Sequence, residues 1–411
     1  MQNINSGDTA WVLASTALVL LMTAPGLALF YGGLVRRKNV LSTMMQSFFI
    51  LCIISIQWVL WGYSIAFGPD VGHLFGNLSW FGLNGVGLAP NADYAPTIPH
   101  QLYMAFQMMF AVITPALITG AYAERIKFST FVVFTLIWAT LVYDPIAHWV
   151  WGKDGWLHNL GALDFAGGTV VHMSSGYSAL VLALIMGRRN GFPRIIPPPH
   201  NMTYTLVGAA LLWFGWFGFN AGSAVAANGL AVTAFINTNT ATAAAAIGWV
   251  IIDWILNKKP TALGAATGAV AGLVAITPAS GFVSPLSAIW IGLIVAVVCY
   301  IAVAVVKQKL AYDDSLDAFG VHGIGGTIGA LTTGLFAEKA IGGADGLFFG
   351  NPHQFLVNAI GAGVTIVYAV VVTFIIGKVL DLTMGLRVKE QDEAIGLDNT
   401  QHKESAYTLI D

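Results

Sequence analysis

Long apolar runs alternate along the chain with short polar segments. A helix rises 1.5 Å per residue, so about 20 apolar residues cross a hydrocarbon layer about 30 Å thick. The pattern predicts eleven such spans, over 9–35, 40–67, 100–121, 128–147, 166–187, 202–223, 229–256, 261–278, 285–306, 318–337 and 353–380. The expected fold class is an all-α polytopic membrane protein. An odd number of spans puts the termini on opposite sides.

Composition agrees with this pattern. Of 411 residues, 56% are hydrophobic and 9% charged, against about 25% charged in a typical soluble chain. A soluble helical protein has too little polar surface to enclose so many apolar segments. The net charge of −2 favours neither nucleic acid nor an anionic surface as partner. Cys52 and Cys299 lie in separate apolar runs and read as small core hydrophobes. The N-terminus lacks a positive n-region, the first basic residue being Arg36, so no secretory signal is expected. With the N-terminus outside, sixteen of the eighteen lysines and arginines fall on the inner side; Lys153 and Lys339 are the exceptions. The positive-inside rule therefore predicts N-out and C-in.

The chain echoes itself. "LDFAGGTVVH" (163–172) and "LDAFGVHGIGG" (316–326) each place Leu-Asp before a span, then small residues, then His. They open the fifth and tenth spans, and five is odd, so the copies point opposite ways. The expected organisation is two inverted five-helix repeats, 1–188 and 202–338, joined by a Pro-rich connector at 189–201. An outer loop and eleventh helix (339–380) and an inner tail (381–411) follow. Inverted repeats place a transport site near the midplane, at the repeat interface.

Helical rise puts His172 about 12 Å inward of Asp164, and His322 about 7 Å outward of Asp317. The imidazoles thus approach the middle from opposite sides. Gly168 and Gly176 flank His172, and Gly325, Gly326 and Gly329 flank His322, leaving faces narrow enough for the helices to meet. A single intramembrane histidine is as easily a structural hydrogen bond as a functional group. A pseudo-symmetric pair favours function. Neutral imidazole is the form expected in an apolar setting, and two rings can share a proton. Asp164 and Asp317 each start a helix and are expected mainly to cap it. Asp164 can add an electrostatic effect on a nearby cation.

A third constellation is aromatic. Phe106 and Phe110 lie four apart on the third span. Trp216, Phe219, Asn220 and Ser223 follow helical spacing on the sixth, and Trp151 falls in the loop before the fifth. Any one of these reads as core. Together they suit a small cation, because ring faces return about 2 kcal/mol each once dry. Gly264, Gly268 and Gly272, four apart, read as a packing stripe.

"DFAGGTVVHMSSGYSALVLALIMGRR" resembles the signature of ammonium transporters of the Amt/Mep/Rh family. "WFGFNAGSA", "AHWVWG", "GAVAGLVAITPASGF", "DAFGVHGIGG" and the tail "GLRVKEQDEAIGLD" resemble further family blocks, in order along the chain. The resemblance implies an eleven-helix homotrimer in the cytoplasmic (inner) membrane, with one pore per subunit and no cofactor. It assigns Trp151, Phe110, Ser223 and the adjacent Phe106 to outer ammonium recruitment, and Phe110 and Phe219 to a phenylalanine gate. His172 and His322 correspond to the twin histidines, Trp216 adjoins the pore, and Asp164 is the family aspartate. Trp151 and Ser223 favour the prokaryotic Amt/Mep type over Rh proteins. The tail is implied to contact neighbouring subunits, and many prokaryotic relatives bind a PII-type protein at the inner face.

The expected activity is uptake of ammonium, with methylammonium as an analogue. The cation is recruited outside and deprotonated, and ammonia crosses past the histidines, with or without a proton relayed alongside. The rivals are a poorly conducting ammonium sensor and an Rh-like gas channel. An intramembrane metalloenzyme on His172, His322 and Asp164 lacks further ligands at metal spacing, so no enzyme is expected.

Overall fold

The computed structural model describes residues 4–194 and 197–407. Residues 1–3, 195–196 of the expected connector and 408–411 of the expected tail lie outside the described residues. Among the described residues, nine helices are long and apolar enough to cross a membrane: α1 (Ser6–Leu34), α2 (Arg37–Phe67), α3 (His100–Tyr122), α4 (Phe128–Leu160), α5 (Gly168–Met186), α6 (Met202–Gly222), α7 (Gly229–Asn257), α9 (Pro285–Leu310) and α11 (Pro352–Thr383). The expected eighth span is the shorter α8 (Ala262–Ile276). The tenth is α10, Phe319–Gly323 continuing as Ile324–Phe336. Two small antiparallel ribbons, Asp70–Val71 with Phe75–Gly76 and Pro90–Asn91 with Ala95–Pro99, lie between α2 and α3.

Burial separates centre from periphery. In α3 89% of the apolar window is buried and in α5 78%, against 33% in α11 and 39% in α2, α7 and α9. The first two are surrounded by protein. The others turn an apolar face outward, as a bilayer requires. α7 packs along α8 and α9, and α1 along α6. The stripe Gly264, Gly268 and Gly272 faces Trp249, Ala245 and Ala241 of α7. Cys299 is buried, but Cys52 is exposed on the outer face of α2, which corrects its reading as a core residue. An apolar run in a membrane helix does not say which face meets lipid.

α5 and α10 meet at the centre. Gly176 packs directly on the backbone of Gly323, and Gly326 rests against the Cβ of His172. Both helices open with a π-helical turn, Gly168–Met173 and Phe319–Gly323, and these turns carry His172 and His322. A π-turn holds an extra residue and rotates the face that follows.

The face opposite Trp151 is tied by ion pairs between loops. Arg189 pairs with Asp313 at 2.8 Å and Glu124 at 2.9 Å, and Glu124 also holds Arg36 at 3.0 Å. The fully buried Arg125 donates to the carbonyls of Ala121 and Asp313 and to Ser315 Oγ. Burial lowers Arg125 to about 10, against the pull of Asp313. Burial also raises Asp313 and Glu124, but hydrogen bonds and charge from Arg189, joined by Arg125 and Arg36, outweigh it and hold both below the ordinary carboxylate range. The tail folds onto its own chain as α12 (Glu390–Ile395) and α13 (Leu397–His402). Val388 N donates to Arg125 O, and Asp398 accepts from the backbone N–H groups of Leu41 and Ser42 at the start of α2.

Two outcomes are expected. Gly176→Ala drives a methyl into the Gly323 backbone and costs about 1–3 kcal/mol, read as a lower thermal midpoint in detergent. Asp313 and Glu124 contribute stability that is complete above their unfolded values of about 4 and is lost as pH falls through their lowered folded values. Thermal midpoints from pH 7 to pH 3 should therefore fall more steeply in the parent than in Arg189→Ala, which has already lost the pairing.

Candidate functional site

A cavity of about 440 Å³ opens on the Trp151 face, and Tyr103, Gln107, Phe110, Trp151, Asp164 and Ser223 are in its wall. Trp151 is the last residue of the helical segment Asp144–Trp151. The loop expected there begins later, because α4 continues through a π-turn at Ala139–Tyr143. Trp151 Nε1 donates to Asp164 O at 3.0 Å, which fixes the indole edge-on to Phe110 at 5.8 Å and 87°. Ser223 Oγ donates to Phe219 O at 2.8 Å, leaving oxygen lone pairs free to accept.

The cavity floor is the ring of Phe110, 4.2 Å from Phe219 between centroids and tilted by 32°. Phe219 is 6.1 Å from His172, and His172 is 5.3 Å from both Trp216 and His322. Phe219, His172, Trp216 and His322 line a void of about 10 Å³, roughly the space one water needs. Trp216 Nε1 donates to Thr277 Oγ1 at 2.9 Å, so its polar edge is satisfied away from the passage. His172 Nδ1 and His322 Nδ1 are 3.3 Å apart, close enough for one proton between two nitrogens, and His172 Nε2 has no protein partner. Beyond His322 lies a second cavity of about 380 Å³, with Arg189, Asp253, Lys307, Ser315 and Asp317 in its wall.

Asp164 accepts from the backbone N–H groups of Gly167, Gly168 and Thr169 at 2.6–2.8 Å, and from Thr169 Oγ1. This is capping geometry. Asp317 is different. Asp314 accepts from Ala318 N and Phe319 N at the start of α10, while Asp317 pairs with Lys307 at 2.6 Å. The expectation that Asp317 caps its helix is thereby corrected. Its φ of +61° turns the chain just before the helix, and Asp314, one turn earlier, reaches the free N–H groups.

Three further placements differ from the sequence reading. Phe106 is fully buried beside Phe110, in the flank that packs on α6 at Gly222, and is not in the cavity wall. The cavity face of α3 is instead Tyr103, Gln107 and Phe110, whose spacing of four and three is that of one helix face. Asn220 points to α7, donating to Thr238 Oγ1 at 2.9 Å, because it sits about 100° round the helix from Phe219. The third is Asp144, which the sequence reading did not single out. Asp144 is completely buried in α4 and accepts from Gln57 Nε2 at 2.8 Å.

The sequence profile described as Ammonium Transporter Family matches residues 10–407. The chain belongs to that family. An ammonium transporter of Bacillus subtilis (strain 168) is 55% identical over 403 residues, covering 98% of each chain. Among solved structures, Saccharomyces cerevisiae Mep2 superposes with a TM-score of 0.89 at 36% identity, over 94% of this chain and 88% of that one. A chain described as a sensor Amt protein superposes equally well, with a TM-score of 0.89 at 32% identity, over 96% of this chain and 98% of that one. Membership of the ammonium transporter family supports ammonium transport across a membrane through this multi-helix bundle, and relatives so named are transporters, not enzymes.

If the Asp164 carboxylate is a cap, its substitutions rank in order. Asp164→Ala removes every acceptor and should cost about 2 kcal/mol or more. Asp164→Asn keeps one acceptor oxygen and should cost less. Thermal midpoints in detergent check the order, and equal midpoints for parent and Asp164→Ala would remove the capping role.

Proposed function

We propose that the protein takes up ammonium by binding the cation at the Trp151 face, deprotonating it and passing ammonia along the ring-lined path. The observation that carries this reading is the unbroken succession Phe110, Phe219, His172, His322 between two cavities. Stripping water from an ammonium ion costs many kcal/mol, whereas neutral ammonia desolvates cheaply. In the first cavity the faces of Phe110 and Trp151 and the lone pairs of Ser223 offset part of that cost. At the Phe110–Phe219 pair only the neutral species is cheap to admit, so the proton leaves there. Ammonia then passes the imidazoles.

His172 and His322 can accept the separated proton and hand it between their Nδ1 atoms, giving charge movement along with ammonia. The charge asymmetry supports the Trp151 face as outside and the tail as cytoplasmic, in the cytoplasmic membrane. Homotrimeric assembly and a PII-type partner at the tail face rest on the family resemblance. Transport is favoured over sensing because the 55% identical relative is named a transporter, while the sensor Amt chain is 32% identical.

Ammonium added to protein-bearing membranes should evoke a saturable current that the His172→Ala/His322→Ala double variant lacks. An unchanged current in that variant would sink the relay. In liposomes, ammonium and methylammonium should be transported and potassium excluded; potassium flux at a similar rate overturns the deprotonation step.

A further inference from the structure

We propose that Asp144 is a proton-binding site, whose neutral carboxyl joins α4 to α2 through a paired acid–amide contact with Gln57. Both side chains are buried. They sit at the π-turns of two packed helices, Gln57 just before Trp58–Gly62 in α2 and Asp144 just after Ala139–Tyr143 in α4. Gln57 Nε2 donates to Asp144 Oδ2 at 2.8 Å and to Thr140 Oγ1 at 3.3 Å. Asp144 Oδ1 and Gln57 Oε1 are then left buried, each without a hydrogen-bond partner in the protein. A buried acceptor without a donor is costly, and an unpaired buried charge costs more.

Turning the amide over does not relieve this. Thr140 Oγ1 gives its proton to Leu136 O at 2.9 Å and receives one from Trp61 Nε1 at 3.0 Å, so towards Gln57 it can only accept. The Gln57 atom facing it is therefore the nitrogen. Gly62 makes room for the amide, since a Cβ there would lie 2.6 Å from Oε1. One proton taken up from water by Asp144 Oδ1 answers both needs. The carboxyl then donates O–H to Gln57 Oε1 while its other oxygen keeps the N–H of Nε2. Neighbouring groups do not supply that donor. Tyr143 OH has no partner itself, and Tyr368 of α11 donates to Leu141 O. Tyr103 of α3 meets Gln107, and His148 is held by Ala66 O and Asp70. His172, on the α5 turn packed beside Asp144–Trp151, faces Trp216 and His322. Among the described residues no lysine or arginine pairs with Asp144, so an ionised carboxylate would stand alone there. Neither the two cavities nor the void between them has Gln57 or Asp144 in its wall, so the ligand that fits is a proton and not a hydrated ion. The pair ties the helix that ends at Trp151 to α2 by a clasp that opens when its proton leaves.

The test joins infrared spectroscopy to thermal melts of the full chain in detergent. With isotope-labelled aspartate, the parent at pH 7 should show the C=O stretch of a protonated carboxyl that Asp144→Asn lacks. Gln57→Leu should move that band to higher frequency, because the carbonyl loses its N–H donor. Asp144→Asn offers a C=O acceptor and an N–H donor in the same places, so it retains both bonds and folds. The sign of the pH dependence follows from proton counting. Above the ordinary carboxylate value of about 4 the unfolded chain has released this proton and the folded chain still holds it. From pH 5 to pH 8 the folding equilibrium of the parent should therefore weaken against that of Asp144→Asn by up to about tenfold per pH unit, read as a steeper fall of its thermal midpoint.

The proposal is overturned if parent and Asp144→Asn have the same carboxyl spectrum at pH 7, or if their midpoints run parallel from pH 5 to pH 8. Either result means a carboxylate ionised in the folded protein. A band that is present but unmoved in Gln57→Leu overturns the pairing with the amide. Should Gln57→Leu not fold, Gln57→Met, which keeps the length of the side chain without an N–H, gives the same test.

Discussion

The path proposed for ammonia depends on the backbone contact between α5 and α10. Lipid tails are as apolar as the helices, so association in a membrane relies on close packing and not on expulsion of water. With no Cβ at Gly176, and Gly323 opposite, the two helices come close enough for π-turns to bring His172 and His322 within 3.3 Å. The same turns present His172 to Trp216 and Phe219. Once this crossing is set, His172 and His322 share a small void with Trp216, Phe219 and aliphatic side chains.

Polar atoms near the passage are mostly committed elsewhere. Trp151 donates to the Asp164 carbonyl, Trp216 to Thr277 and Ser223 to Phe219, while the Asp164 carboxylate is filled by N–H groups of its own helix start. What remains exposed to the path is π-density and a few lone pairs. In the proposed function, such a lining tolerates a cation at the entrance, penalises it further in, and is indifferent to a neutral molecule. Fixed charge is gathered at the far face, where Glu124, Asp313, Arg125 and Arg189 tie the loops together.

Much of the site could be seen in the chain because it is built from local helical spacing. Phe110, Trp216, Phe219 and Ser223 fall on periodic faces, and the two Leu-Asp-to-His segments announce themselves by repetition. Where local spacing was ambiguous, the reading failed. Phe106 and Phe110 are both aromatic at a spacing of four, yet neighbouring helices cover the first and leave the second beside Tyr103 and Gln107. Asp314 and Asp317 both precede α10, and only the left-handed turn at Asp317 decides which carboxylate reaches the free N–H groups. Asp144 lies near the end of the span expected over 128–147, and its burial follows from the continuation of that helix to Trp151.

The one-dimensional pattern was enough for a helical membrane bundle, its family and the residue types at its centre. Hydrophobic length and helical period are properties of short segments. Which face of each helix meets lipid, protein or cavity is not such a property. It follows from π-turns that rotate the face partway along a helix and from glycine contacts between segments distant in the chain. The pairing of imidazoles was therefore settled only when the helices packed, because it depends on the distance and rotation between segments that do not adjoin in the chain.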